Sequence, residues 1–269
     1  MNRSLDFISK TVVITGGLGL IGSEAAQRFH ELGAEVHVLD LMLPEVVSEN
    51  SKPISKGIIY YQCDVSNIIE VDIAIQKIVK VAGKIDVLFN NAATKSSSPE
   101  QFVVDSDQIV VSKVFKEVMN VNVQGLFNVT SSVSKFMKRQ GSGSIIHTSS
   151  IYGAEMGVDH RIYELHNSTG STFMSSPAVY NASKAAVVGL TKFFATSLGK
   201  FNVRVNSIAP GGVFNDHTAE FRSSYSGRVP MSRMAQVHEI VGPVIFLASD
   251  LSTYVNGVNL YIDGGLNAW

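Results

Sequence analysis

The feature that most constrains this chain is a rhythm: short apolar runs alternate with longer stretches in which apolar residues recur at helical spacing. Thr11–Thr15, Glu35–Leu39, Ile58–Cys63, Val87–Phe89, Ser144–Thr148, Val203–Ala209 and Asn259–Ile262 read as strands. Several are apolar throughout, which suits strands covered on both faces. Between them, Ser23–Leu32, Val71–Val81, Val110–Lys138, Tyr180–Gly199 and Val237–Ala248 read as helices. Alternation of this kind predicts βα units and an α/β fold: a doubly wound parallel sheet with helices on both faces.

Two stretches break the rhythm. Residues 151–177, between a strand and a helix, are rich in Gly, Ser, Thr and His, and residues 211–234 carry scattered Arg, Ser and Asn. Loops of this length in a compact domain are usually functional, so both are expected to be excursions over a substrate site. No repeat, low-complexity tract or linker divides the chain, and a single domain over residues 1–269 is expected.

Composition narrows the function classes. With 45% hydrophobic and 17% charged residues in 269, a large core is available and disorder is not expected. The net charge of −1, without a concentrated basic run, argues against a nucleic-acid partner. No apolar stretch is long enough to span a bilayer and none at the N-terminus resembles a signal peptide, so no membrane partner and a cytoplasmic location are the expectation. The single cysteine, Cys63, cannot form an internal disulfide and reads as a small apolar residue at a strand end. The seven histidines lack metal-ligand spacing, and no metal site is expected.

The first strand runs into Thr15-Gly16-Gly17-Leu18-Gly19-Leu20-Ile21-Gly22, and a helix follows. Glycines here permit a tight turn and close approach of backbone to a pyrophosphate, and the helix N-terminus offers N–H groups and partial positive charge. A glycine-rich octapeptide alone is weak, but the strand before it and the helix after it supply the required context. Asp40 ends the second strand, where an acid would accept hydrogen bonds from ribose hydroxyls and repel a 2′-phosphate. No Arg or Lys lies between Leu41 and Glu49, and Glu45 adds negative charge. NAD is therefore favoured over NADP. Asp64, closing the third strand, is placed to bond the adenine amino group.

Tyr180-Asn181-Ala182-Ser183-Lys184 opens a helix, and residues four apart share a helix face. A tyrosine with a free pKa of about 10 needs a neighbouring positive charge to act as a base. Lys184 and a nicotinamide ring would both favour its phenolate. Tyr180 would then take or return the proton of a substrate alcohol as hydride moves, while Ser150 polarises the same oxygen. Ser149, adjacent, remains an alternative to Ser150.

Together these residues resemble the short-chain dehydrogenase/reductase family along nearly the whole chain. The resemblance is carried by Gly16–Gly22, Cys63-Asp64-Val65, Asn90-Asn91-Ala92-Ala93, Asn122, Ser149-Ser150, Tyr180–Lys184, Val205-Asn206, Pro210-Gly211 and Asp263-Gly264-Gly265, in family order. It implies a Rossmann-type sheet, a nicotinamide cofactor and a homodimer or homotetramer. It also implies a tetrad: Asn122 holding a water, Ser150 on the substrate oxygen, Tyr180 as acid/base, and Lys184 on the nicotinamide ribose. Gly16, Gly19, Leu20, Ile21, Asp40, Asp64, Val65, Asn91 and Ala92 would line the cofactor, with Pro210, Gly211 and Val213 flanking the nicotinamide.

Three departures stand out. Leu20 occupies a position where the family's single-domain branch carries Gly, and Asn215 replaces the usual Thr after Pro-Gly. Ser150 and Tyr180 lie 30 residues apart, well beyond the family's usual interval. That surplus, with Ile162-Tyr163-Glu164, Met174-Ser175-Ser176-Pro177 and the C-terminal Asp263–Trp269, resembles a subgroup linked to flagellin modification and nonulosonic-acid sugar biosynthesis. A polar excursion suits a hydroxyl-rich small-molecule substrate such as a sugar or sugar phosphate. Arg222, Arg228 and Arg233 could meet an anion but more often pair with nearby acids. The alternatives are a 3-oxoacyl reductase, a polyol dehydrogenase, a nucleotide-sugar epimerase or dehydratase, and a dinucleotide-binding scaffold without chemistry. Phe193, Phe194 and Leu198 are expected in core or subunit interface.

Overall fold

The structure, a computed structural model, describes residues 5–44, 57–95, 108–154, 156–163 and 176–269. The first strand, β1 (Thr11–Thr15), is buried throughout, and it shows how one short run can build two cores. Successive side chains of a strand point to opposite faces. Val12 and Ile14 enter one apolar cluster with Phe29, Val36, Ile240 and Val244. Val13 enters the other with Leu39, Ile75, Leu88, Val133 and Phe194. A fully buried Phe29 side chain alone contributes about 1.5–3 kcal/mol relative to exposure.

After β1 come α1 (Leu20–Glu31), β2 (Glu35–Asp40), β3 (Ile59–Gln62), α2 (Ile68–Ala82) and β4 (Val87–Asn90). The second half holds α3 (Gln108–Met119), α4 (Leu126–Gln140), β5 (Gly143–Thr148), α5 (Ala178–Leu198), β6 (Val203–Pro210), α6 (Ala219–Ser226), α7 (Val237–Ala248) and β7 (Asn259–Ile262). The strands form a parallel sheet in the order β3-β2-β1-β4-β5-β6-β7. The chain reverses direction across the sheet between β1 and β4, and the crevice at their carboxyl ends is where ligands bind in open α/β sheets.

Local chemistry sets the helix limits. The Asn67 side chain accepts the N–H groups of Ile69 and Glu70 to start α2, and Gly83, at φ 77°, ends it. A reciprocal capping box between Gln236 and Glu239 starts α7.

The expected strands and the doubly wound class are present, with strand limits shifted by at most a residue. Two expectations need correction. The helix expected over Val110–Lys138 is α3 and α4 joined by a π-helical segment, Asn120–Gly125. Residues 211–234, expected to be a loop, contain the helix α6, capped by Thr218. Phe221 and Tyr225 of α6 pack with Ile151, Tyr152, Ile162 and Tyr163 in a third apolar cluster above the sheet's carboxyl edge. Of the 151–177 stretch, residues 155 and 164–175 lie outside the described residues, including Glu164, Met174 and Ser175; so do Glu45 and Glu49. Cys63 is buried, with its thiol pushed up to about 12 by burial. No helix among the described residues is long and apolar enough to cross a membrane.

Candidate active site

The glycine loop is stitched to the end of β4. Thr15 Oγ1 accepts the backbone N–H groups of Asn91 and Ala92, each at 3.0 Å. The Asn91 side-chain amide donates to the Gly16 carbonyl at 3.2 Å. Gly16 sits at φ 65°, and a Cβ there would come 2.8 Å from Ala92 Cα. At Gly22 a Cβ would lie 2.1 Å from the Gly16 carbonyl oxygen. Protein packing therefore demands both glycines.

Gly19 is different. Its Cβ would meet nothing nearer than the Gly16 carbonyl at 3.5 Å, and the residue is exposed. Gly19 is the N-cap of α1, which has no side-chain cap and no acid in its first turn. The first-turn N–H groups, those of Leu20 and Ile21 among them, lack a side-chain acceptor at the positive end of the helix dipole. The open Gly19 cradle and the uncapped helix fit a dinucleotide phosphate.

Asp40 is half-buried at the tip of β2. Its Oδ2 accepts the Leu18 N–H at 3.0 Å and its Oδ1 the Met42 N–H at 3.4 Å. It thus pins the glycine loop, and a carboxylate retains further lone pairs for a hydroxyl. Asp64 Oδ1 accepts both the N–H and the Oγ–H of Ser66, at 2.9 and 2.8 Å, at the start of the turn into α2. Val65 is buried, and its carbonyl accepts the Asn128 amide at 3.1 Å.

One cavity at the carboxyl edge of β5 and β6 brings together Leu20, Ile21, Ser150, Tyr180, Pro210, Gly211 and Val213. The two serines diverge. Ser149 is buried and its Oγ donates to the Lys184 carbonyl at 3.1 Å, whereas Ser150 Oγ accepts the Tyr152 N–H at 3.2 Å and lines the cavity with Tyr180. Lys184 Nζ lies 5.6 Å from the Tyr180 ring centroid and donates to the Thr148 carbonyl at 2.7 Å. Gly153, at φ 129°, lets the chain after Ser150 press onto α5, with a would-be Cβ 2.7 Å from the Asn181 carbonyl.

At Tyr180 burial weighs more than the help expected from Lys184. Burial pushes the Tyr180 phenol up to about 12, Tyr163 adds to the rise, and only the nearby Ser150 hydroxyl opposes it. Lys184 is itself pushed down to about 7, first by burial and then by the nearby Lys95 ammonium. Desolvation, which residue spacing does not reveal, outweighs the charge effect.

Asn122 lies in the π-helical segment, a geometry that often marks functional sites. Its Oδ1 accepts the Thr94 N–H at 2.8 Å, and its Nδ2 donates to the Thr94 carbonyl at 2.9 Å and to Ser183 Oγ at 3.0 Å. Both side-chain donors are engaged in tying the segment after β4 to α5.

Sequence reasoning passed over several groups. Lys95 stands 5.1 Å from the Tyr180 ring centroid and lines the same cavity as His217, Tyr152 and Tyr163. Its place just after Asn90-Asn91-Ala92-Ala93, at a strand's carboxyl end, was the available signal. Beneath the site, Asn90 Nδ2 donates to Thr130 Oγ1 at 2.8 Å, and His147 bridges Thr130 and Thr191 at 3.1 and 2.9 Å. Burial holds His147 neutral, pushed down to about 3. Tyr225 Oη accepts the Gly212 N–H.

Two of the three arginines are paired. Arg233 binds Glu239 through two nitrogens at 2.6 and 2.7 Å, and Arg228 lies 3.7 Å from Asp159, while Arg222 stacks over Phe214. No cluster of potential metal ligands occurs among the described residues.

Comparison with known proteins agrees with this architecture. A family model described as enoyl-(acyl carrier protein) reductase matches residues 19–267. The 3-oxoacyl-[acyl-carrier-protein] reductase FabG of Thermotoga maritima is 32% identical, covering 96% of this chain and 97% of its own. A short-chain dehydrogenase from Leptospira borgpetersenii, solved with bound NAD+, superposes with a TM-score of 0.82 at 33% identity, covering 99% of this chain and 96% of its own. A gluconate 5-dehydrogenase from Burkholderia cenocepacia, solved with NADP and tartrate, superposes with a TM-score of 0.78 at 27% identity, covering 99% and 98%.

Proposed function

Because the chain belongs to the short-chain dehydrogenase/reductase family, whose members are nicotinamide-dependent oxidoreductases of CH–OH groups, we propose that it uses NAD(H) to interconvert a secondary alcohol and a ketone on a polar, sugar-like molecule. The observation that carries the residue roles is the placement of Ser150 and Tyr180 together in the cavity beside the glycine loop, with Lys184 5.6 Å from the Tyr180 ring. The dinucleotide, when bound, supplies the two-electron partner of the reaction. Gly16, Gly19, Leu20, Ile21, Asp40, Asp64, Val65, Asn91, Ala92, Tyr180, Lys184, Pro210, Gly211 and Val213 would hold it.

Ser150 Oγ orients the substrate oxygen, and Tyr180 Oη passes a proton to it in reduction or takes one in oxidation. Lys184, anchored on the Thr148 carbonyl, sets its charge beside the phenol. Asn122 acts through position, holding Thr94 and Ser183 so that the cavity wall and the start of α5 keep register.

The preference for NAD rests on Asp40. Relatives solved with NAD+ and with NADP are both similar to this chain, so the acid at the tip of β2 is the supporting feature. A polar substrate is supported by Lys95, Asn215, His217, Tyr152 and Tyr163 around the cavity. Within that class, the resemblance of residues 162–164, 174–177 and 263–269 extends the reading to sugars of the nonulosonic-acid type. Exposed Phe115, Phe127 and Phe193, on α3, α4 and α5, support a homodimer or homotetramer, and the reading places the enzyme in the cytoplasm.

The test is NAD(P)(H)-linked turnover across sugar acids, sugar phosphates, nucleotide sugars, polyols and oxoacyl thioesters. Turnover of polar carbohydrate with NADH is expected. Preference for oxoacyl thioesters would replace this reading with the acyl reductase one, and tighter binding of NADPH than NADH would remove the role given to Asp40.

A further inference from the structure

The cavity holding Ser150 and Tyr180 has an unbalanced wall. Lys95 is open to it, with Nζ 5.1 Å from the Tyr180 ring centroid, and Lys184 lies 5.6 Å from the same centroid. No Asp or Glu lines this cavity among the described residues. Other cations near the roof have carboxylates: Arg161 with Asp159 at 2.7 Å, Arg228 with Asp159 at 3.7 Å, and Arg233 with Glu239 at 2.6 Å. Lys95 has no ion-pair partner among the described residues.

His217 completes the arrangement. Its Nδ1 accepts the Asn215 N–H at 3.2 Å, which places the proton of the neutral ring on Nε2 as a donor. The ring stacks on Phe221 with centroids 4.9 Å apart, so its orientation is set by packing. Burial first, and then the Lys95 ammonium, hold His217 below its ordinary pKa.

We propose that Lys95, assisted by the Nε2–H of His217, is an anion subsite that binds the carboxylate or phosphate of the substrate while its carbinol carbon lies at Tyr180. Two like charges beside one desolvated phenol repel each other, and a substrate anion relieves that repulsion with a charge-assisted hydrogen bond. The cofactor phosphates have their own cradle at Gly19 and the start of α1, which leaves Lys95 for the substrate. The substrate class narrows from polar and sugar-like to acidic: a sugar acid or sugar phosphate whose anionic group lies a few bonds from the reacting carbon. This inference deepens the oxidoreductase reading and rests on it.

The test uses the full-length enzyme–NADH complex titrated calorimetrically with D-gluconate, D-glucitol 6-phosphate and D-glucitol, which share a polyol chain and differ in charge. One or both anions should bind about 10- to 100-fold more tightly than glucitol, and the arm that wins distinguishes carboxylate from phosphate. Lys95→Met should erase that preference, Lys95→Arg should keep it, and Lys77→Met, at an exposed position on α2, should leave it unchanged. Equal binding of all three polyols by the wild type overturns the subsite. So does a Lys95→Met that weakens glucitol as much as gluconate, or one that weakens NADH instead. Failure of the wild type to bind NADH would be a different result, removing the oxidoreductase reading and the subsite with it.

Discussion

Ser150 and Tyr180 line one cavity, with Ser150 Oγ accepting the Tyr152 N–H at 3.2 Å, while Ser149, one residue earlier, donates its hydroxyl to the Lys184 carbonyl at 3.1 Å. The two hydroxyls should therefore fail differently. Ser150→Ala is expected to lower kcat by about 10²–10³, the usual effect of removing one donor to a reacting oxygen. Ser149→Ala should instead cost about 0.5–1.5 kcal/mol of stability. Steady-state kinetics with urea melts of both variants separate the roles, and a reversed pattern would reassign them.

Burial pushes the Tyr180 phenol up to about 12, which keeps it protonated across neutral pH. A neutral phenol is ready to donate a proton, and only the phenolate can accept one. Ketone reduction should accordingly change little across neutral pH. Alcohol oxidation should climb with pH, by up to about tenfold per unit, as long as Tyr180 remains protonated. Tyr180→Phe should depress both directions by about 10²–10⁴. An oxidation rate independent of pH from about 6 to 9 would contradict the assignment.

Gly22 and Gly19 should also separate. A methyl at Gly22 would lie 2.1 Å from a carbonyl oxygen, so Gly22→Ala should destabilise the fold by about 1–3 kcal/mol or more. The Gly19→Ala methyl meets only an ordinary 3.5 Å contact, so its melting temperature should hold. Its NADH affinity should fall about tenfold or more, because the methyl enters the space a phosphate needs. Thermal melts paired with NADH fluorescence titrations read both effects.

His147 carries a stability prediction of definite sign. Its pKa falls from 6.5 to about 3 on burial, so the unfolded chain binds more protons between those values. The stabilisation is complete above pH 6.5 and drains away as pH drops toward 3. His147→Phe removes this dependence and strips Thr130 and Thr191 of a buried partner, at a cost of about 1–3 kcal/mol at neutral pH. Denaturant melts at about pH 4.5 should show a smaller gap between variant and wild type than melts at about pH 7.

Much of the fold was legible because periodicity reports burial directly. β1 and β7 begin and end where the apolar runs do. The limits of α1 moved because Gly19, lacking a side chain, serves as N-cap, so the helix starts at Leu20 rather than Ser23. The π-helical insertion at Asn120–Gly125 leaves the apolar spacing nearly intact and so escapes a reading built on it. α6 had a signal that was missed: Thr218 as cap, then Phe221 and Tyr225 four apart on one face. Its scattered polar residues hid that pattern.

Order along the chain determined the class of sheet, the glycine loop that opens it and the pairing of Tyr180 with Lys184, since each depends on residue type at short spacing. Tertiary structure decided the rest. It turned Ser150 rather than Ser149 to Tyr180, brought Lys95 from the end of β4 to within 5.1 Å of that ring, and drove the tyrosine up and the lysines down. Those outcomes follow from desolvation and from contacts between residues far apart in the chain, and neither quantity is written in local sequence.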